Sequence, residues 1–134
     1  MIKTVIDTNV LVSALLTPNS NPAKILALVL NERITVFYDS RILLEYENVL
    51  SRPKFPFKQD DVSSLLETLV QSGNAVAAEP RAEVFTDESD KKFYEVSKTS
   101  SAFLITGNGK HFPNDPDVIS PTEFLQIMEN KKLP

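Results

Sequence analysis

Residues 1–10, MIKTVIDTNV, run from an apolar, β-branched stretch directly into an acid, Asp7, and then through Thr8 and Asn9 into a second apolar run. IKTVID (2–7) reads as a buried strand, and NVLVSALL (9–16) as a short helix stopped by Thr17-Pro18. A carboxylate at the end of a buried strand costs free energy unless a cation or hydrogen-bond donors meet it. The stretch therefore predicts a strand–helix unit with a charged site at the junction, and a metal ion is the expected counter-charge.

Outward from this stretch, strand-like and helix-like segments alternate. Asn21 is expected to cap the helix PAKILALVLNER (22–33), with Pro22 at the tolerated first position. ITVFYD (34–39) is the second strand, and Ser40 is the expected cap of RILLEYENVL (41–50). Two prolines make SRPKFPFKQDD (51–61) a loop, after which VSSLLETLVQS (62–72) is helical and Gly73 ends it. AVAA (75–78) is a weak strand, DESDKKFYEVSKTS (87–100) a helix opening on acids, AFLITG (102–107) a buried strand and DVIS (117–120) a short one. SPTEFLQIMEN (120–130) closes the chain as a helix, with Ser120 and Glu123 forming a capping box around Pro121. Strands alternating with helices imply an α/β fold with a parallel sheet covered on both faces, and ligand sites at the C-terminal ends of its strands. Asp7 and Asn108 both fall at such ends.

The 134 residues suit a single domain, 1–134, with the 42% hydrophobic and 24% charged composition of a globular chain. No cysteine is present, which excludes disulfides and a thiolate metal site, and a cytoplasmic protein is expected. The longest apolar stretch, AKILALVL (23–30), is far short of the roughly 20 residues that cross a membrane. It fits core or a dimer face, with core preferred. The net charge of −4 argues against a surface that grips nucleic acid everywhere, although Arg52, Lys54 and Lys58 form one local basic group. Lys91, Lys92, Lys98, Lys110 and His111 form another if the fold joins their segments.

The acids carry the chemistry. Glu45 and Glu47 both lie at the edges of the apolar face of their helix, so spacing does not choose between them. Asp90 stands three, four and seven residues before Phe93, Tyr94 and Ser97 and should look inward with them, whereas Asp87 and Glu88 are as well explained by capping and dipole compensation. Carboxylates gathered in one crevice repel by about 4 kcal/mol per pair at about 4 Å in a medium of effective dielectric about 20. Such a group protonates or recruits a cation, and hard oxygen donors without a second histidine or a thiolate suit Mg²⁺ or Mn²⁺. His111, the single histidine, is read as a surface or phosphate contact.

VIDTNVLVSALL (5–16), LLEYENVLSRPKF (43–55), DESDKKFYEVSKTSSAFLITGNGKHF (87–112) and VISPTEFL (118–125) together resemble the PIN-domain ribonucleases. The resemblance is strongest to the VapC-like toxin components of toxin–antitoxin pairs. It spans nearly the whole chain in order and implies a three-layer α/β/α sandwich around a mostly parallel sheet. It also implies metal-dependent hydrolysis of RNA, with Asp7, Glu45 and Asp90 catalytic and Asp87 an accessory metal ligand. The choice of Glu45 over Glu47 comes from the resemblance. Where many relatives carry a further acid after Thr-Gly, this chain has Asn108, whose amide can orient a water or a phosphate but supplies no charge for a second metal.

On this reading Thr8, Asn9, Thr106 and Asn108 orient the ligands, and Arg52, Lys54, Lys91, Lys110 and His111 contact RNA. Kinship further implies a protein antitoxin and a homodimer. A haloacid-dehalogenase-like phosphatase would want a second acid at position 9, which is Asn, and a receiver domain would want paired acids after the first strand. A PIN-like scaffold that binds RNA or a protein without turnover is the remaining alternative.

Overall fold

The computed structural model describes residues 1–132, and the last two positions of the expected domain, 133 and 134, lie outside the described residues. Strands β1 (Ile2–Ile6), β2 (Ile34–Tyr38), β3 (Asn74–Ala75), β4 (Phe103–Ile105) and β5 (Val118–Ile119) form one sheet in the order β3-β2-β1-β4-β5. All four pairings are parallel, with Thr4 opposite both Val36 and Phe103. In β1 three consecutive residues, Thr4, Val5 and Ile6, are buried, as are Leu104 and Ile105 in β4. Successive side chains point to opposite faces, so this pattern requires cover on both sides and makes the α/β/α sandwich.

The cover comes from α1 (Thr8–Leu16), α2 (Asn21–Leu30), α3 (Ser40–Leu50), α4 (Gln59–Ser72), α5 (Lys91–Ser100) and α6 (Pro121–Lys132). Helix α5 packs on β1, β2 and β4, while α2 packs on α1, α6 and β2. Residues 76–87 carry no regular structure but are pinned by Phe85, which is buried and packs edge-on against Phe112 and tilted against Tyr94.

Several boundaries differ from the sequence reading. Ser20, not Asn21, caps α2 by accepting from the Ala23 N–H, while the Asn21 amide donates to Thr122 Oγ1 of α6 at 2.8 Å. Asp39, not Ser40, caps α3, taking the Ile42 N–H at 3.0 Å. Helix α4 begins at Gln59, inside the expected loop, with Asp60 and Asp61 complementing the dipole of its first turn. The third strand is Asn74–Ala75 rather than 75–78, and the acid-rich helix opens as a 3₁₀ turn, Glu88–Asp90. Gly73 does end α4, but with φ −94 its role is close approach: an added Cβ would meet Leu69 O at 2.5 Å and Val36 O at 2.6 Å. The capping box forms as expected, with the Glu123 N–H donating to Ser120 Oγ and the Ser120 N–H to Glu123 Oε1.

Strand order reverses between β1, whose sequence neighbour β2 lies on one side, and β4 on the other. In open α/β sheets the helices diverge at that point and leave a crevice beyond the strand ends. Asp7 directly follows β1 and Thr106 directly follows β4, so both stand at this crevice.

Candidate metal and nucleic-acid site

Asp7 is 5% exposed, and its backbone N–H donates to Ile105 O at 3.0 Å, which locks the end of β1 to β4. Its side chain makes no well-formed capping hydrogen bond to α1 and accepts from Thr106 Oγ1 at 2.7 Å. Thr106 in turn accepts the Asn108 backbone N–H at 3.0 Å, forming a short relay from the loop after β4 to the carboxylate. The side chain of Asn108 is not required for this relay. Burial pushes the Asp7 carboxyl above its usual range, the Thr106 hydroxyl and the Asn9 N–H oppose the rise, and the charges of Asp90 and Glu45 add to it. Among the described residues no basic side chain pairs with Asp7.

Glu45 is half-buried on the second turn of α3, accepting from the Thr8 hydroxyl through Oε2 and pairing through Oε1 with Lys92 Nζ at 2.7 Å. Glu47 is exposed. The next residue after Glu45, Tyr46, is wholly buried and donates its hydroxyl to the Ile6 carbonyl at the end of β1. Burial, with the charges of Asp7 and Glu45, drives that phenol well above its ordinary range. Asp90 ends the 3₁₀ turn, and burial followed by the charge of Asp87 raises its carboxyl, with a further push from Glu45; His111 Nδ1, 3.5 Å away, and Lys92 oppose it. Asp87 is exposed, caps the 3₁₀ turn and is held low by the Ser89 hydroxyl and N–H.

Three acids from distant segments thus share one electrostatic neighbourhood. Their donor chemistry, all carboxylate oxygen, fits a hard divalent cation. They are not assembled around one: among the described residues no three His, Asp or Glu side chains stand close enough to hold a metal ion, and Lys92 and His111 occupy Glu45 Oε1 and face Asp90 Oδ2. Those two contacts would have to open for the same oxygens to bind a cation.

The sequence profile described as "PIN domain" matches residues 3–110. The chain belongs to the PIN domain family. An uncharacterized protein of Methanocaldococcus jannaschii is 38% identical over 132 residues, covering 94% of this chain and 81% of that protein. A chain in the crystal structure of VapBC2 from Rickettsia felis, bound to a DNA fragment from its promoter, superimposes with a TM-score of 0.60 at 18% identity, covering 89% of this chain and 97% of that one. That likeness extends the agreement to the fold, an α/β sandwich around a parallel sheet.

The expected RNA contacts of this PIN domain divide into separate places. Arg52 and Lys91 line one cleft of about 680 Å³, whose wall includes Glu45 and Lys92. Lys110 and His111 border a second hollow of about 570 Å³, formed with Gly107, Asn108 and Gly109. Lys54 lies over the Phe55 ring, outside both. Lys98, from the same basic group as Lys91, is committed to Asp115 at 2.6 Å. Arg41 and Arg81 also line the first cleft and were missing from the sequence reading. A signal for Arg41 existed, since a cation in the first turn of a helix opposes the dipole. Among the described residues no helix is long and apolar enough to cross a membrane.

Proposed function

We propose that this PIN domain is a metal-dependent endoribonuclease, acting as the toxin of a toxin–antitoxin pair in the cytoplasm. The observation that carries the reading is Asp7: a buried carboxylate at the reversal point of the sheet, with its pKa raised by burial and by the fields of Asp90 and Glu45, and with hydrogen bonds but no basic partner among the described residues. A fold keeps such a group where a cation is wanted.

Asp7 and Asp90, aided by Glu45 and Asp87, would hold one Mg²⁺ or Mn²⁺. When bound, such an ion lowers the pKa of its water and neutralises a phosphate. Thr106 fixes Asp7 and Thr8 fixes Glu45, so the carboxylates keep their orientation as ligands must. Glu45 or Asp87 accepts the proton of the attacking water. Arg52, Lys54, Lys91, Lys110 and His111 contact the RNA backbone, and Asn9 and Asn108 orient water or phosphate. The likeness to a chain of a VapBC complex supports an antitoxin partner, and a homodimer is what the family resemblance alone implies.

The test is incubation of the pure protein with labelled RNA in Mg²⁺, Mn²⁺ or EDTA. Cleavage by the parent in metal, lost in EDTA and in Asp7→Asn, is expected. A protein that retains RNA but never cuts it is a scaffold, a reading favoured by the Glu45–Lys92 pair. Asp7→Asn cutting as well as the parent would refute the site.

A further inference from the structure

Arg41, Glu45, Asn48 and Arg52 recur at helical spacing and line one side of the 680 Å³ cleft, while Arg81, Lys91 and Glu95 line the other. Five basic side chains face this cleft against three acidic ones, in a chain whose net charge is −4. Arg41 is its most firmly held cation. Nε and Nη2 meet Asp39 Oδ2 at 2.8 and 2.7 Å, and Nη1 donates to Glu95 Oε1 at 2.9 Å. The two acids are 11% and 8% exposed at the side chain, yet Arg41 itself remains 49% exposed. The other oxygen of Glu95 accepts the Arg81 backbone N–H at 3.1 Å, so one buried acid fixes both basic walls.

Arg41 neutralises two buried carboxylates, Asp39 and Glu95, and so has a structural role, yet it stays half-exposed at the rim of the cleft. A cation in the first turn of α3 is at the unfavourable end of the dipole, and the cap is already supplied by Asp39. A guanidinium has five N–H donors, and three contacts leave two of them in fixed orientation for an anion. Arg52, just past the last turn of this helix, is about 16 Å farther along the same wall. Leu44, Val49 and Pro80 add apolar surface between the charges, against which unpaired bases can lie.

We propose that the α3–α5 cleft seats a single-stranded RNA segment flanking the bond to be cut, its phosphates held by Arg41, Arg52 and Lys91, with Arg41 pre-set by Asp39 and Glu95. The class of ligand rests on the nuclease reading above. Glu45 belongs to both the cleft and the carboxylate centre, so a strand lying here arrives beside Asp7 and Asp90.

The test is fluorescence anisotropy with a labelled single-stranded RNA of about 12 nucleotides, in EDTA so that nothing is cut, over a range of salt. Arg52→Glu and Lys91→Glu remove side chains that make no ion pair among the described residues. Each should weaken binding about tenfold, and the double variant should flatten the slope of log K against log salt by roughly 0.7 for each phosphate no longer neutralised. Arg41→Lys keeps the charge, loses the fork, and should weaken binding as well. Lys24→Glu, on α2 at the hollow beside α6, should change nothing. Unaltered binding in the Arg52 and Lys91 variants, an equal loss in Lys24→Glu, or equal affinity for an RNA duplex or a polyglutamate peptide overturns the proposal. A parent that binds through the cleft but cuts no RNA in either metal refutes the nuclease reading alone. Cleavage lost in Asp7→Asn but intact, with intact binding, in the cleft variants refutes the cleft alone.

Discussion

The Thr106 hydroxyl donates to Asp7 Oδ2 at 2.7 Å across the seam between β1 and β4, joining two residues 99 positions apart at the end of the sheet. Thr106 is 1% exposed, so a replacement cannot borrow water for the carboxylate. Thr106→Val keeps the volume but strips one donor from Asp7 and one acceptor from the Asn108 N–H. Urea unfolding should show a loss of about 1–3 kcal/mol, the cost of a buried polar group left unpaired. Titration with Mn²⁺ should show affinity reduced by about 10–100-fold, as when other supports of metal ligands are removed.

Asp7→Asn should stabilise the metal-free protein, and the gain should depend on pH. The folded-state pKa of Asp7 is raised above 3.8, first by burial and then by Asp90 and Glu45, against the pull of Thr106. A raised pKa means that protonated Asp7 contributes stability fully present below about 3.8, and lost as pH rises through the folded value. Once the pH has passed the folded value the parent has lost it, whereas the amide has nothing to ionise. Melting curves in EDTA should show Asp7→Asn above the parent at pH 7, with the difference closing as the pH falls towards 3.8 and below. A difference that is constant with pH, or that favours the parent, would contradict this account.

The relation of Asp7 to the sheet was legible in ten residues, because an acid closing an apolar strand has few structural uses. Asp90 was legible from its facing, although a 3₁₀ turn replaces the expected first turn of helix. Glu45 and Glu47 could not be separated by periodicity, since both flank the apolar face of α3. What separates them is Thr8 and Lys92, residues 37 and 47 positions away in the chain. The caps at Ser20 and Asp39 were missed for a related reason: adjacent residues offered similar oxygens, and the contact from Asn21 to Thr122 lies 101 residues off. The only local sign of Arg41 was its unfavourable place in the first turn of α3; its second partner, Glu95, is 54 positions away on α5. Hydrophobic patterning was readable, whereas the choice among adjacent polar residues and the ion pairs between distant segments were not.

Gly73→Ala tests the packing of the sheet edge rather than the site. Its φ of −94 is open to any residue, so a purely local view predicts a neutral or stabilising change. The added Cβ would instead come within 2.5 Å of Leu69 O, 2.6 Å of Val36 O and 2.9 Å of Tyr38 Cε1. Two of these are backbone atoms that move only with α4 or β2. Unfolding by urea should report a loss of about 3 kcal/mol, at the upper end of overpacking costs, with RNA cleavage at low temperature little changed.

Divalent metal should reverse the order of stability between Asp7→Asn and its parent. In EDTA an ionised Asp7 is penalised first by its burial and then by Asp90 and Glu45, and weakens the fold. A bound cation turns the same charges into ligands, and a ligand at about 100 times its dissociation constant adds about 2.7 kcal/mol to the folded state. Mg²⁺ or Mn²⁺ should therefore raise the melting temperature of the parent but leave Asp7→Asn nearly where it was, so that the two curves cross as metal is added. Lys92→Met removes the cation that holds Glu45 at 2.7 Å and should move the crossing to lower metal concentration. Ca²⁺ producing the same crossing would mean that the site collects charge without the small octahedral geometry that Mg²⁺ requires. Equal shifts in parent and Asp7→Asn would place the metal elsewhere on the protein and remove Asp7 from its ligands.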